Sequence, residues 1–192
     1  MIIQTILKYL VEEINKEPPI PSNEDFAKLG NIARLDSTSG ASNAELQSKV
    51  IVTLVNISEE LSLKNSPHYF KRGDTLEKRN PTLYLNLFIL ISCAEDVYEN
   101  ALAKISHIIG LFQQKNIFTA DNASVDFPSN HVEKIILDLY SLNFEQMNNL
   151  WGILGGKYSP SALYRIRLVP VLAKSGEPKP EIKEIKATEN AN

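Results

Sequence analysis

Apolar residues recur along this chain with two periods, and the switches between them predict its elements. In MIIQTILKYLVEEINK, Ile3, Ile6, Leu7, Leu10, Val11 and Ile14 repeat every three to four positions, which predicts an amphipathic N-terminal helix. Glu12, Glu13 and Lys16 lie at its end. The pairs Glu12-Glu13 and Glu59-Glu60 have no accompanying apolar pocket legible in the sequence, so both are expected on solvated faces. Pro18, Pro19 and Pro21 form a stiff extended connector. Residues 26–33 (FAKLGNIA) read as a short strand broken by Gly30, and residues 36–43 as a polar loop. Residues 49–57 (KVIVTLVNI) are apolar on both alternating faces, the pattern of a central strand covered on both sides. Residues 82–91 form a second such strand, with Leu83, Leu85, Leu87, Ile89 and Ile91 on one face and Tyr84, Phe88 and Leu90 on the other. Between the two, residues 65–80 (NSPHYFKRGDTLEKRN) are dense in charge and lack sustained periodicity. They read as a long loop or the end of an extended hairpin, and loops of that length are usually functional.

The strongest helical pattern spans residues 94–115, with a stripe of Val97, Tyr98, Ala101, Leu102, Ile105, Ile108, Ile109 and Phe112. Ser92 is its expected N-cap, and Glu95 and Asp96 fall in the first turn, where the helix dipole favours negative charge. Residues 116–130 read as loop. In residues 131–140, Ile135, Leu137 and Leu139 alternate with Lys134, Asp138 and Tyr140, which favours a strand with a helix as the alternative.

The run from 142 to 172 is continuous in meaning. Asn143 is an expected N-cap with Gln146 three residues on, and Met147, Leu150, Trp151 and Leu154 share one face of a short helix. Gly155 and Gly156 stop it. Lys157, Tyr158, Ser159, Pro160 and Ser161 make a turn-prone connector. In the strand that follows, Ala162, Tyr164, Ile166 and Leu168 alternate with Leu163, Arg165, Arg167 and Val169. Two arginines on one face, with Pro170 near the end, predict a sheet edge guarded against promiscuous pairing.

Length and composition set the class. At 192 residues and 43% hydrophobic content the chain can bury a core without metal or disulfide staples. The order of elements predicts one α+β domain, a mixed or mainly antiparallel sheet of about four to six strands with the 94–115 helix laid across it. The domain is expected over 1–172. Residues 173–192 (AKSGEPKPEIKEIKATENAN) form a polar tail whose composition does not order itself. A net charge of −3 with both signs intermixed argues against a nucleic-acid partner. No apolar run is long enough to span a bilayer, and the N-terminus lacks the basic segment and cleavage site of a secretory signal, so synthesis in the cytoplasm without direct membrane insertion is expected.

Catalytic chemistry is poorly supplied. His68, His107 and His131 are far apart, no Cys or His pair has metal-ligand spacing, and no Gly-x-Ser-x-Gly elbow occurs. Gly155-Gly156-Lys157 suggests a phosphate loop, but it lies between a helix and a strand, the reverse of the order that chemistry needs. Arg72-Gly73-Asp74 is a short tripeptide of the kind that recurs by chance. The one cysteine, Cys93, sits in an apolar run and reads as a small buried hydrophobe. Trp151 is expected in the core, the alternative being an interface anchor. No cofactor and no metal are expected, and the chain does not read as an enzyme.

The run LWGILGGKYSPSALYRIRLVPV, taken with residues 54–60 (LVNISEE) and 81–87 (PTLYLNL), resembles the N-terminal domain of the tail-terminator, or cap, proteins of contractile injection systems. The resemblance extends over roughly residues 1–172. It implies a structural protein that closes into a ring, expected to be hexameric, on the end of the inner tube and sheath and stops their growth. Its partners would then be copies of itself and the sheath and tube proteins, in a particle either released or cell-associated. A baseplate-associated or adaptor component of such a particle is the alternative, and a small-molecule enzyme a remote one. On this reading the contact elements are Lys71 and Arg72 in the charged segment, the connector Lys157, Tyr158, Ser159, Pro160 and Ser161, the arginines Arg165 and Arg167, and the tail.

Overall fold

Strand pairing organises the molecule. The structure, a computed structural model, describes residues 2–19, 24–35, 45–61, 69–72, 75–78, 82–93, 95–128, 132–155, 157–171 and 179–180. Its elements follow the chain as α1 (Ile2–Lys16), β1 (Ala27–Leu29), a 3-10 turn (Ile32–Arg34), β2 (Val50–Glu59), β3 (Tyr69–Arg72), β4 (Thr75–Lys78), β5 (Leu83–Cys93), α2 (Tyr98–Gln114), β6 (Ile117–Thr119), β7 (Lys134–Leu139), α3 (Phe144–Ile153), β8 (Ser161–Val171) and β9 (Lys179–Pro180). Six strands form one sheet in the order β1-β2-β5-β8-β7-β6, and β3, β4 and β9 form a small second sheet. In the large sheet β1 runs parallel to β2, while the remaining neighbours are antiparallel. This is the mixed, mainly antiparallel α+β arrangement that the alternating patterns predicted.

The sheet is covered on both faces. On one side α1 and α2 pack over Val50, Val52, Ile89, Ile91, Tyr164 and Ile166. On the other, the 3-10 turn and α3 cover Ile51, Leu90 and Leu163 through Ile32 and Trp151. Strand β5 belongs to both clusters, and Leu87, Ile89, Leu90 and Ile91 are at most 2% exposed. Burial of each such side chain contributes about 1.5–3 kcal/mol relative to exposure. The outer edge is held by side chains: Asn15 on α1 accepts from Ala27 N–H (2.7 Å) and donates to Ala27 O (3.0 Å), occupying backbone groups that an edge strand would otherwise offer. Buried Thr53 accepts from Ile32 N–H and donates to Gly30 O, which ties the 3-10 turn to β2.

Several expectations need correction. Ser92 is not an N-cap: β5 continues through Cys93, held by β2 and β8, and Ser92 is fully buried within it. Helix α2 starts later, with Val97 as an N-cap that makes no side-chain bond. Glu95 instead pairs with Lys104 on α2. Of the predicted stripe, Ala101, Ile105, Ile108 and Phe112 are buried, whereas Val97, Tyr98, Leu102 and Ile109 are exposed, because the sheet meets a narrower arc of the helix than the stripe spans. The short strand expected over 26–33 occupies Ala27–Leu29, and its remainder becomes the 3-10 turn, capped by Asn31. The expected loop 116–130 contains β6, recruited by antiparallel pairing with β7 and by burial of Phe118 against Tyr9 and Phe112. Strand β8 is interior rather than an edge, lying between β5 and β7. Val169 also leaves the arginine face. Leu85 pairs with Val169 but Leu87 with Ile166, so Asn86 faces two residues of β8, and this bulge turns Val169 into the main core beside Ile166.

Glu13 is the sharpest departure from a solvated face. It is 5% exposed, with Tyr9 Oη (2.8 Å) and Ser124 N–H (2.6 Å) donating to Oε1 and Lys115 Nζ (3.0 Å) donating to Oε2. One carboxylate thus joins α1, the residue after α2 and the loop beyond β6. Within the charged segment, 69–72 and 75–78 form the β3–β4 hairpin, which fits the extended-hairpin alternative. The rest of that segment, the polar loop 36–43, His68, His131, Gly156 and the tail apart from 179–180 lie outside the described residues. Cys93 is buried as expected, and burial pushes its thiol up to about 11.

Removing the Glu13 carboxylate leaves the Lys115 charge, the buried Tyr9 hydroxyl and the Ser124 N–H short of an acceptor. Glu13→Ala should therefore cost about 3–5 kcal/mol, read as a lower urea midpoint with an unchanged slope. Burial pushes the Glu13 carboxyl up, but its bonds from Tyr9, Lys115 and Ser124, with the Lys115 charge, outweigh burial and hold it below its ordinary value. The stability it contributes is therefore complete above the ordinary glutamate range and is lost as pH falls through the lowered value. Between neutral and strongly acid pH the parent should lose more stability than Glu13→Gln, and parallel pH profiles would refute this role.

Candidate functional site

The helix-connector-strand unit around α3 supplies the candidate contact surface. Asn143 Oδ1 accepts from Gln146 N–H (2.8 Å) and Gln146 Oε1 accepts from Asn143 N–H (3.1 Å), completing the predicted capping box and fixing where α3 begins. Met147, Leu150 and Leu154 are half-buried around Trp151, which is 6% exposed and so belongs to the core. Gly155 ends the helix with φ at 109°, a conformation that a side chain would strain. The connector then folds back over the helix. The Tyr158 ring meets Trp151 edge-on at 5.7 Å, and the buried Pro160 offers its carbonyl to Cys93 N–H (3.2 Å), where β8 joins the sheet. Lys157 and Tyr158 are exposed, and Ser159 and Ser161 are half-buried.

Further along β8, Leu163, Arg165 and Arg167 occupy the face that α3 only partly covers. Phe88 on β5, Arg165 on β8 and Asp138 on β7 stand in one row across three strands. Asp138 Oδ2 accepts from Arg165 Nη2 (3.1 Å) and from Arg167 Nη1 (3.4 Å), so one carboxylate oxygen serves two guanidinium groups. All three side chains remain about one-third exposed or more. Above them, Val55, Phe88, Tyr140, Leu142, Leu150 and Leu163 line an open cleft of about 270 Å³ at the N-terminal end of α3. Phe88 and Tyr140 meet edge-on at 5.2 Å on its floor.

The predicted contact residues therefore divide. The structure places Arg165 and Arg167 together, and sets the connector at the start of the same strand, beside α3. Lys71 and Arg72 lie on β3 in the second sheet, and their side chains are outside the described residues. Sequence reading missed Asp138, Phe88 and Tyr140 as members of the surface. Each lies in or beside a strand whose alternation is plain, but the pairing that sets β7 and β5 on either side of β8 leaves no local signal. The acid on β7 matching two arginines on a later strand was the available hint.

The chemistry on offer is that of contact. Neither this cleft nor the one of about 290 Å³ between α2 and β7 is lined by a histidine, cysteine or serine. Among the described residues no three His, Cys, Asp or Glu side chains converge as metal ligands, and no helix is long and apolar enough to cross a membrane.

The family model described as the Pvc16 N-terminal domain matches residues 2–184. Among solved structures, the chain resembles the PVC sheath/tube terminator of an extracellular contractile injection system in its extended state, with 14% identity and a TM-score of 0.63 over 100% of this chain and 64% of that one. It also resembles the tube-terminating cap of the anti-feeding prophage, with 17% identity and a TM-score of 0.56 over 97% of this chain and 60% of that one. At these identities the likeness is one of fold, and this chain spans less than two thirds of the length of either protein. No curated protein matches it.

Burial separates residues that hold the fold from residues free to act at a surface. Trp151→Ala should cost about 3–5 kcal/mol of stability. Arg165→Ala should cost only about 0–1 kcal/mol, because its ion pair is part-exposed and screened. Chemical denaturation of the two variants checks the order, and a cost for Arg165→Ala equal to that of Trp151→Ala would make the arginine a fold residue.

Proposed function

This chain belongs to the Pvc16 N-terminal domain family, and from that membership we propose that it caps the end of the inner tube and sheath of a contractile injection system. Tubes and sheaths grow through head-to-tail contacts that do not close, so each added ring presents the same unsatisfied surface to the next. A terminator needs one surface complementary to the last ring, another complementary to its own neighbours, and an outer face that offers no further site. None of this requires catalysis, and the protein acts as a structural component rather than an enzyme. The observation that carries the reading is the fold likeness to a sheath/tube terminator along the whole of this chain.

The proposed assembly is a closed ring of identical copies, with six the expected number, seated on sheath and tube proteins. The molecule is made in the cytoplasm and becomes part of a particle. Its contact elements are the connector Lys157–Ser161, the face bearing Arg165 and Arg167, the charged hairpin with Lys71 and Arg72, and the tail after Ala173. Exposed Phe144 and Ile153 on α3 and Tyr98 and Leu102 on α2 add apolar surface of the kind that subunit contacts cover.

Deleting the gene from a particle-producing strain should yield tubes of uncontrolled length or sheaths lost from tubes, measured by negative-stain electron microscopy. Normal particle lengths would refute the capping role, and tagged protein found at the baseplate end would transfer the chain to the adaptor role. In purified protein, deletion of residues 173–192 should reduce ring formation in light scattering, and an undiminished ring would remove the tail from the contact elements.

A further inference from the structure

The cleft at the N-terminal end of α3 and the arginine pair beside it make one surface with two chemistries. Its upper part is apolar and open, floored by Phe88, Tyr140 and Leu163. Its lower part carries Arg165 and Arg167, which share a single oxygen of Asp138. Each guanidinium has five N–H donors, and among the described residues neither arginine pairs with a second carboxylate. The Asp138–Arg165–Arg167 cluster by itself therefore holds one positive charge in excess on a face that α3 leaves uncovered.

We propose that this surface docks an extended acidic segment of a partner protein, with an apolar side chain in the cleft and a carboxylate on Arg165 and Arg167. The spacing selects the segment. Leu163 and Arg165 are two residues apart on one face of β8, about 6.6–6.8 Å along the strand. Successive same-side residues of an extended partner have that same separation, so the recognised pattern is an apolar residue and an Asp or Glu two positions apart. A charge-assisted pair with a guanidinium favours the carboxylate over a neutral group, and the planar fork accepts both of its oxygens. Asp138 is the built-in competitor: it holds the two arginines in place and occupies part of their capacity.

This inference deepens the reading of the Arg165–Arg167 face as a contact surface, yet its test needs only isolated protein. Its failure would leave the capping role standing, and normal particle length in the gene deletion would leave the binding standing. The probe is a short fluorescein-labelled peptide repeating Val-Ser-Glu-Ser, which sets Val and Glu two positions apart on one side of an extended chain, with a Val-Ser-Lys-Ser repeat as control, followed by fluorescence anisotropy. The acidic peptide should bind and the basic one should not. Asp138→Asn should tighten binding by about threefold to tenfold, and Arg165→Glu should weaken it by about tenfold or more, where tenfold is about 1.4 kcal/mol. Added salt should weaken binding in parent and Asp138→Asn alike. The gain in Asp138→Asn protects the test from misfolding, since a damaged protein does not bind more tightly. Equal binding of the two peptides, or affinity unmoved by both substitutions, would overturn the proposal. Self-association of the parent without peptide, abolished by Arg165→Glu, would overturn the commitment to a separate partner by making a second copy the occupant.

Discussion

A strand buried on both faces must be covered on both, and β5 imposes that condition on everything around it. Its neighbours β2 and β8 satisfy its backbone, but its side chains alternate between two cores that share no residue. Helices α1 and α2 close one of them with a long apolar area. The other is closed by a 3-10 turn and by α3, a helix of ten residues that reaches only part of the sheet. The uncovered remainder is where the Asp138–Arg165–Arg167 cluster and the apolar cleft lie. The open face is thus a consequence of unequal cover on a two-sided sheet.

Charge inside this molecule works at two depths. Glu13 is buried and supplies both oxygens to donors from three parts of the chain, so its contribution belongs to folding. Asp138 is part-exposed and gathers two arginines on neighbouring positions of β8, so water and salt weaken its hold on them. The first arrangement closes the gap between α1 and the end of α2. The second keeps two cations poised on an open face. The same pairing chemistry is locked into the fold in one place and left open to solvent in the other, and burial makes the difference.

The likeness to terminator proteins is one of fold. On that fold the chain presents a hairpin, a connector packed on Trp151 through Tyr158, and a half-covered sheet face. The connector and the sheet face are held by core residues that they do not expose, Trp151 beneath the one and Leu90 within the other. That separation lets surface residues change to suit a partner while the fold persists, in keeping with a fold likeness at 14–17% identity.

Local chemistry was legible in the sequence wherever a short stretch carried its own signal. The N-terminal helix follows from its 3.6-residue stripe, β5 and β8 from alternation, and the start and stop of α3 from Asn143, Gln146 and Gly155. The core position of Trp151 and Cys93 follows from the company they keep. Pairing decided the rest, because hydrogen bonds between strands join residues far apart in the chain and leave no periodic trace. Only the tertiary structure made β8 an interior strand, held Ser92 in β5 instead of capping a helix, and turned Val169 inward through a bulge. Glu13 looked solvated because its partners Lys115 and Ser124 lie about a hundred residues away. Arg165 and Arg167 were visible as a pair, but the acid between them and the cleft above them exist only once β7 and β5 are laid on either side.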